Sequence, residues 1–186
     1  MRVVVFTAFT RWKPHYETDL EIIQRHLDDG DEVIHLHCDE DLLACDANPD
    51  HDLNICRNCV KIRKAGIPLL SRRVPSLPFV HLSQTNKQEI ASVQKRFATI
   101  RELKSFYIEN FDIGMAVLSS IISLTRDPEP DLSTLGDKIP RFIVSSLSVY
   151  RSLQNYLDAN SVDRVYVFNG RFAPLRAVTR AQSSAR

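Results

Sequence analysis

Cys38, Cys45, Cys56 and Cys59 follow one another with the spacing C-x6-C-x10-C-x2-C, and they are the only cysteines in the sequence. Cys56 and Cys59 can chelate one ion through two thiolates. Cys38 and Cys45 could then close a tetrahedral site across the intervening loop, as structural zinc requires. Four thiolates can also hold an iron–sulfur cluster, the second choice here after zinc. The CxxC half suits zinc, whereas the x6 spacing is looser than most knuckles, so four free thiols remain the alternative. His35, His37 and His51 are substitute ligands by type, although alternation along a strand puts His35 and His37 on one face, where core or surface roles suffice. No triad pattern accompanies the cysteines, which argues against a catalytic thiol.

Two further groups could do chemistry. Residues 7–16 form a polar, aromatic loop containing Trp12, with His15 and Glu17 at the mouth of the helix that follows. A His or carboxylate there could accept a proton from an attacking hydroxyl. The plainer alternative is that Glu17 stabilises the helix start and His15 is solvated. No glycine-rich fingerprint lies between this strand and helix, which counts against a dinucleotide. Near the C-terminus, Phe168-Asn169-Gly170-Arg171 precedes Arg176 and Arg180. A strand ending in a turn and a helix start offers backbone N–H groups, and Arg171 adds a fork for phosphate or carboxylate. A simple strand-to-helix turn with exposed arginines is the alternative.

Parallel strands must position these groups. Val3, Val4, Val5 and Phe6 read as a buried strand. Leu20, Ile23 and Leu27 mark one face of the next helix, Gly30 ends it, and residues 33–37 make a second strand. That is a βαβ unit, and it predicts an α/β fold with a Rossmann-like parallel sheet flanked by helices. Residues 38–63 read as a cysteine-rich loop, inserted in the domain, leading into a short basic helix. Residues 79–82 suggest an edge strand. Residues 86–126 are helical in pattern, as two helices or one kinked near Phe111-Asp112, and another helix covers about 139–160. Residues 164–168 are a strand, followed by a helix from about Pro174. The tail, 181–186, lacks the apolar residues to finish that helix and start another strand.

The 186 residues suit a single domain, spanning 1–186. Apolar residues make up 44%, charged residues 25%, and the net charge is +1. No global field therefore favours nucleic acid or an anionic membrane. Lys61, Arg63, Lys64, Arg72 and Arg73 read as a solvated face without the interleaved aromatics of a nucleic-acid surface. No signal peptide or membrane-spanning segment is visible, so the expected location is cytoplasmic, with reduced cysteines.

Several of these segments together resemble bacterial capsular and exopolysaccharide-biosynthesis glycosyltransferases of two-Rossmann (GT-B) architecture. They are Pro14-His15-Tyr16-Glu17-Thr18, the helix end Leu27-Asp28-Asp29-Gly30-Asp31-Glu32-Val33, Cys45-Asp46-Ala47-Asn48-Pro49, Cys56-Arg57-Asn58-Cys59, and Tyr166-Val167-Phe168-Asn169-Gly170-Arg171 with Arg176-Ala177-Val178. The resemblance implies an N-terminal, acceptor-side domain. Its partner would be a C-terminal domain, absent here, that binds the nucleotide-sugar donor and completes the enzyme in cis or in trans. It casts His15 or Glu17 as the base and gives Trp12, Asn169, Gly170, Arg171 and Arg176 to substrate, a saccharide acceptor or donor phosphates. Transfer would require the missing domain. The other expectations are a non-enzymatic, metal-stabilised module that binds a partner protein, and a nucleotide-binding α/β protein unrelated to sugars.

Overall fold

Val3, Val4, Val5 and Phe6 are apolar on both sides of their strand, which commits that strand to a sheet covered on both faces. A computed structural model, describing residues 1–184, places this strand, β1 (Arg2–Thr7), in the middle of a four-stranded, all-parallel sheet. The others are β2 (Glu32–His37), β3 (Ser76–Pro78) and β4 (Arg164–Val167), in the order β3-β2-β1-β4. Successive connections place β2 and β3 on one side of β1, and β4 then joins its other side. The sheet thus has a topological switch point between β1 and β4, the place where open parallel sheets bind ligands beyond the strand carboxyl ends.

Helix α1 (His15–Asp28) lies on one face and contributes Ile23 and Leu27 to a small apolar cluster with Val3, Val5, Val33 and Val74. Helix α2 (Leu53–Gly66) is seated on α1 through Gly66, where a Cβ would come within 2.7 Å of the Tyr16 ring. The other face carries the larger core. There Val4, Phe6, Ile34 and Leu36 meet α5 (Ile113–Thr125), α6 (Lys138–Ala159) and α7 (Ala173–Ser184), with Phe142, Ile143, Leu147 and Ile121 fully buried. No helix among the described residues is long and apolar enough to cross a membrane.

Local differences from the sequence pattern have local causes. Helix α2 starts at Leu53, earlier than the basic run suggests, because Asp52 caps it by accepting the Asn54 N–H. The connection after β2 is therefore only 38–52, and Cys56 and Cys59 are helical. Arg63, expected on a solvated face, is buried. The edge strand pairs at Ser76–Pro78 rather than 79–82, with the Phe79 N–H still reaching His37 O at 2.9 Å. The helical run 86–126 divides into α3 (Gln84–Ser92), α4 (Ile100–Lys104) and α5. A Ser83–Asn86 capping box starts α3, and Thr99 caps α4 by accepting the Glu102 N–H. The break at Phe111-Asp112 is present. Helix α7 continues through Ser184, so most of the tail is helical, while Ala185 and Arg186 lie outside the described residues.

Candidate functional site at the sheet switch point

The connections after β1, β2 and β4 meet at the carboxyl edge of the sheet, and serines in the helix layer fix two of them. Ser145 on α6 accepts the Ala44 N–H at 2.9 Å, and Ser120 on α5 accepts the Ala173 N–H at 2.8 Å. Ser152 does the same for His81, after β3, at 2.9 Å. Each hydroxyl satisfies a backbone donor where the chain leaves the sheet, so hydroxyls suit these otherwise apolar helices. The Thr10 hydroxyl donates to Cys59 O at 2.9 Å and ties the first connection to α2.

Aromatic rings bridge the switch point itself. His15 opens α1, and its ring stacks on Phe168 with centroids 3.7 Å apart and planes 28° apart. Trp12 packs edge-on against Phe9 at 4.7 Å and Phe172 at 5.8 Å, with His15 at 6.5 Å. The exposed Arg171 lays its guanidinium 4.6 Å from the Phe172 ring centroid. The turn between Phe168 and Arg171 bends through left-handed backbone at Asn169 (φ 60) and Gly170 (φ 54). A Cβ on Gly170 would also meet Thr179 at 2.8 Å. Trp12, His15, Asn169, Gly170 and Arg171 are thus one neighbourhood, although far apart in sequence.

Two other residues singled out in the sequence have different settings. Glu17 is exposed in the first turn of α1, where a carboxylate suits the helix dipole. Arg176 is held by Asp112 in a two-pronged ion pair, and Arg180 grips the same carboxylate at 2.8 and 3.0 Å. Burial alone would raise the Asp112 carboxyl, but the hydrogen bonds from Arg180 and Arg176 outweigh it and hold the group well below the usual carboxylate range.

Asp46 was not singled out. It is 6% exposed, and neither carboxylate oxygen has a partner within hydrogen-bonding distance. Burial raises it to about 6, with the Ser120 hydroxyl and the Arg171 guanidinium pulling the other way. The only sequence signal for it is its place in the Cys45-Asp46-Ala47-Asn48 turn, which closes through Asn48 N–H to Cys45 O at 2.9 Å.

All four cysteines are free and half-buried, and Cys38, Cys45 and Cys59 pack against the larger core. Asn48 Nδ2 donates to Cys56 Sγ at 3.2 Å. Burial pushes the Cys38 thiol up to about 11 and the Cys45 thiol well above its ordinary value. Among the described residues no three of the sulfurs lie within 4.8 Å of one another. His35 and His37 do share a face, and both are engaged. His35 bridges Ser76 at 2.9 Å and Thr7 at 3.1 Å, while His37 Nε2 accepts from Arg63 at 2.6 Å. His51 Nε2 is buried without a partner.

At the opposite sheet edge His26, Asp29 and Asp31 bring three donor atoms together, but Asp31 and the Tyr166 hydroxyl occupy both His26 nitrogens. Comparisons with protein-family models, curated proteins and solved structures find no match to this chain.

Proposed function

We propose that the crevice between β1 and β4 binds a saccharide, and that the chain is the acceptor-side domain of a glycosyltransferase. In this reading the enzyme moves a sugar from a nucleotide-sugar donor to a growing surface polysaccharide. A second, GT-B-type domain, joined in cis or in trans, supplies the donor site. The observation that carries the reading is the aromatic group of Trp12, His15, Phe168 and Phe172 at the switch point of a parallel sheet. Aromatic faces suit the C–H face of a sugar ring, whose hydroxyls then point outward to polar neighbours. His15, half-buried with one ring face on Phe168, keeps an imidazole where an acceptor hydroxyl would lose its proton. Arg171, exposed and without an ion-pair partner among the described residues, offers a fork for a donor phosphate.

Trp12 is the sole tryptophan, so its fluorescence reports on this crevice alone. Titration with oligosaccharides should give a saturable change, and His15→Ala should weaken it by about tenfold, equivalent to ~1.4 kcal/mol. A response to nucleotides with none to any saccharide would replace this reading with that of a nucleotide-binding domain.

A further inference from the structure

Asp112, just before α5, holds Arg176 and Arg180 of α7, while Ser120 further along α5 accepts the Ala173 N–H at 2.8 Å. The two helices therefore run antiparallel, and residues before Ala173 lie toward the carboxyl end of α5. There Arg171 and Arg126 border one trough of about 600 Å³. We propose that this trough binds a phosphate monoester with a long apolar chain, its phosphate between Arg126 and Arg171 and its chain along Ile122, Leu118 and Met115. The site goes beyond the saccharide crevice and does not depend on that reading, although Arg171 stands between the two.

Charge selects the anion. Lys104, Arg126, Arg171 and Arg176 border the trough, and among the described residues no carboxylate lines it. Asp112 compensates Arg176 in a two-pronged pair, but Lys104, Arg126 and Arg171 have no ion-pair partner among the described residues. Asp127, next to Arg126, turns its carboxylate to the Glu129 N–H at 2.9 Å. The Phe172 ring, 4.6 Å from the Arg171 guanidinium, holds that group without neutralising it. A phosphate monoester carries about −1.5 to −2 charges near neutral pH, which two guanidinium forks match in charge and in geometry.

The floor selects the chain. Met115, Leu118 and Ile122 fall on one side of α5 at helical intervals and line the trough, with Met115 still 36% exposed. A bare inorganic anion would leave this strip in water, whereas an apolar chain covers it. The volume falls among those of small-molecule sites, about 300–1,000 Å³. Because the strip lies in a concavity, a single chain reaches it and a flat membrane surface does not.

The backbone at Arg126 points the same way. This residue ends α5 in left-handed backbone (φ 59), its N–H reaching Ile122 O at 2.9 Å. Glycine is the usual residue at such a position, since a Cβ there is costly. Folding alone favours glycine, and an arginine instead sets a guanidinium at the head of the trough.

Calorimetric titration of the full chain with decyl phosphate, below its micelle-forming concentration, tests the proposal. Expected is saturation at one per chain, with inorganic phosphate and decyltrimethylammonium each weaker by about tenfold or more. Arg126→Gly should weaken decyl phosphate by about tenfold while the urea midpoint stays or rises. Met115→Gln, at an exposed position on the floor, should weaken it several-fold. No binding of decyl phosphate overturns the proposal, as does equal affinity for inorganic phosphate or for the cationic chain, or undiminished binding by Arg126→Gly. Attachment to vesicles of anionic phospholipid without binding of the dispersed chain also overturns it, because that result describes a surface and not a trough. Saccharide titration of Trp12 is read separately, so either conclusion can fail without the other.

Discussion

On one face of the sheet Val4, Phe6, Ile34 and Leu36 meet the apolar sides of α5, α6 and α7, where Ser120 and Ser145 serve the outgoing loops. On the other face the same strands begin with Val3, Val5 and Val33 but end in Thr7, His35 and His37. There the Ser76 hydroxyl serves His35, which bridges to Thr7, whose hydroxyl donates to Asp19 at 2.7 Å. Arg63 joins His37 to Asp39 alongside. The dry face supplies most of the apolar burial, and the wet face sets positions near the strand ends where the connections begin. Period-two alternation lets one pair of strands do both.

Removing a large ring from the dry face should have the greatest effect. Phe142→Ala leaves a cavity in the fully buried layer and should cost about 3–5 kcal/mol in urea unfolding. If the loss were below that caused by polar-face changes, the division of labour would be reversed.

Thr7→Val tests the wet face with almost no change in volume. It strands His35 Nε2 and Asp19 without their shared partner, and should cost about 1–3 kcal/mol by the same measurement. A neutral result would make the chain of hydrogen bonds incidental.

The smallest effect expected is on the pH dependence of stability. Burial, and then the neighbouring charges of His37 and Arg63, lower His35 to about 3, so folding loses stability as pH falls from the ordinary histidine range toward 3. Burial raises Asp19 to about 6 against the Thr7 hydrogen bond, so its contribution is largest below the ordinary carboxylate pKa and is lost as pH rises toward 6. The two slopes oppose each other between about pH 4 and 6. Asp19→Asn should therefore steepen the loss of stability on acidification, as read from urea midpoints across that window. Parallel curves for the two proteins would remove Asp19 from the balance.

Local pattern made the βαβ start, the strand at 164–167 and the Asn169-Gly170 turn legible, because each has a short-range cause: apolar runs, an exit glycine, positive φ. Tertiary partners concealed the rest. The acidic stretch before Leu53 gives no apolar period, so only the basic end of α2 is legible, and its earlier start is set by the Asp52 cap. Arg63 looks solvated until His37 is placed beneath it, and Arg176 looks free until Asp112 arrives from α5. Asp46 is one more aspartate in a polar loop until burial separates it from water. Serines 120, 145 and 152 read merely as interruptions of apolar helices, since their partners lie on other connections.

Gly114 bears on how kinship with this chain would be recognised. A Cβ there would lie 1.7 Å from the Leu103 carbonyl oxygen, a backbone atom that cannot step aside without moving α4. Descent can rewrite the surface of α5 freely, yet any lineage that keeps this junction must keep a glycine at its start. That glycine and a serine two turns later, facing the exit of the last strand, form a signature of common ancestry that would outlast most overall sequence identity.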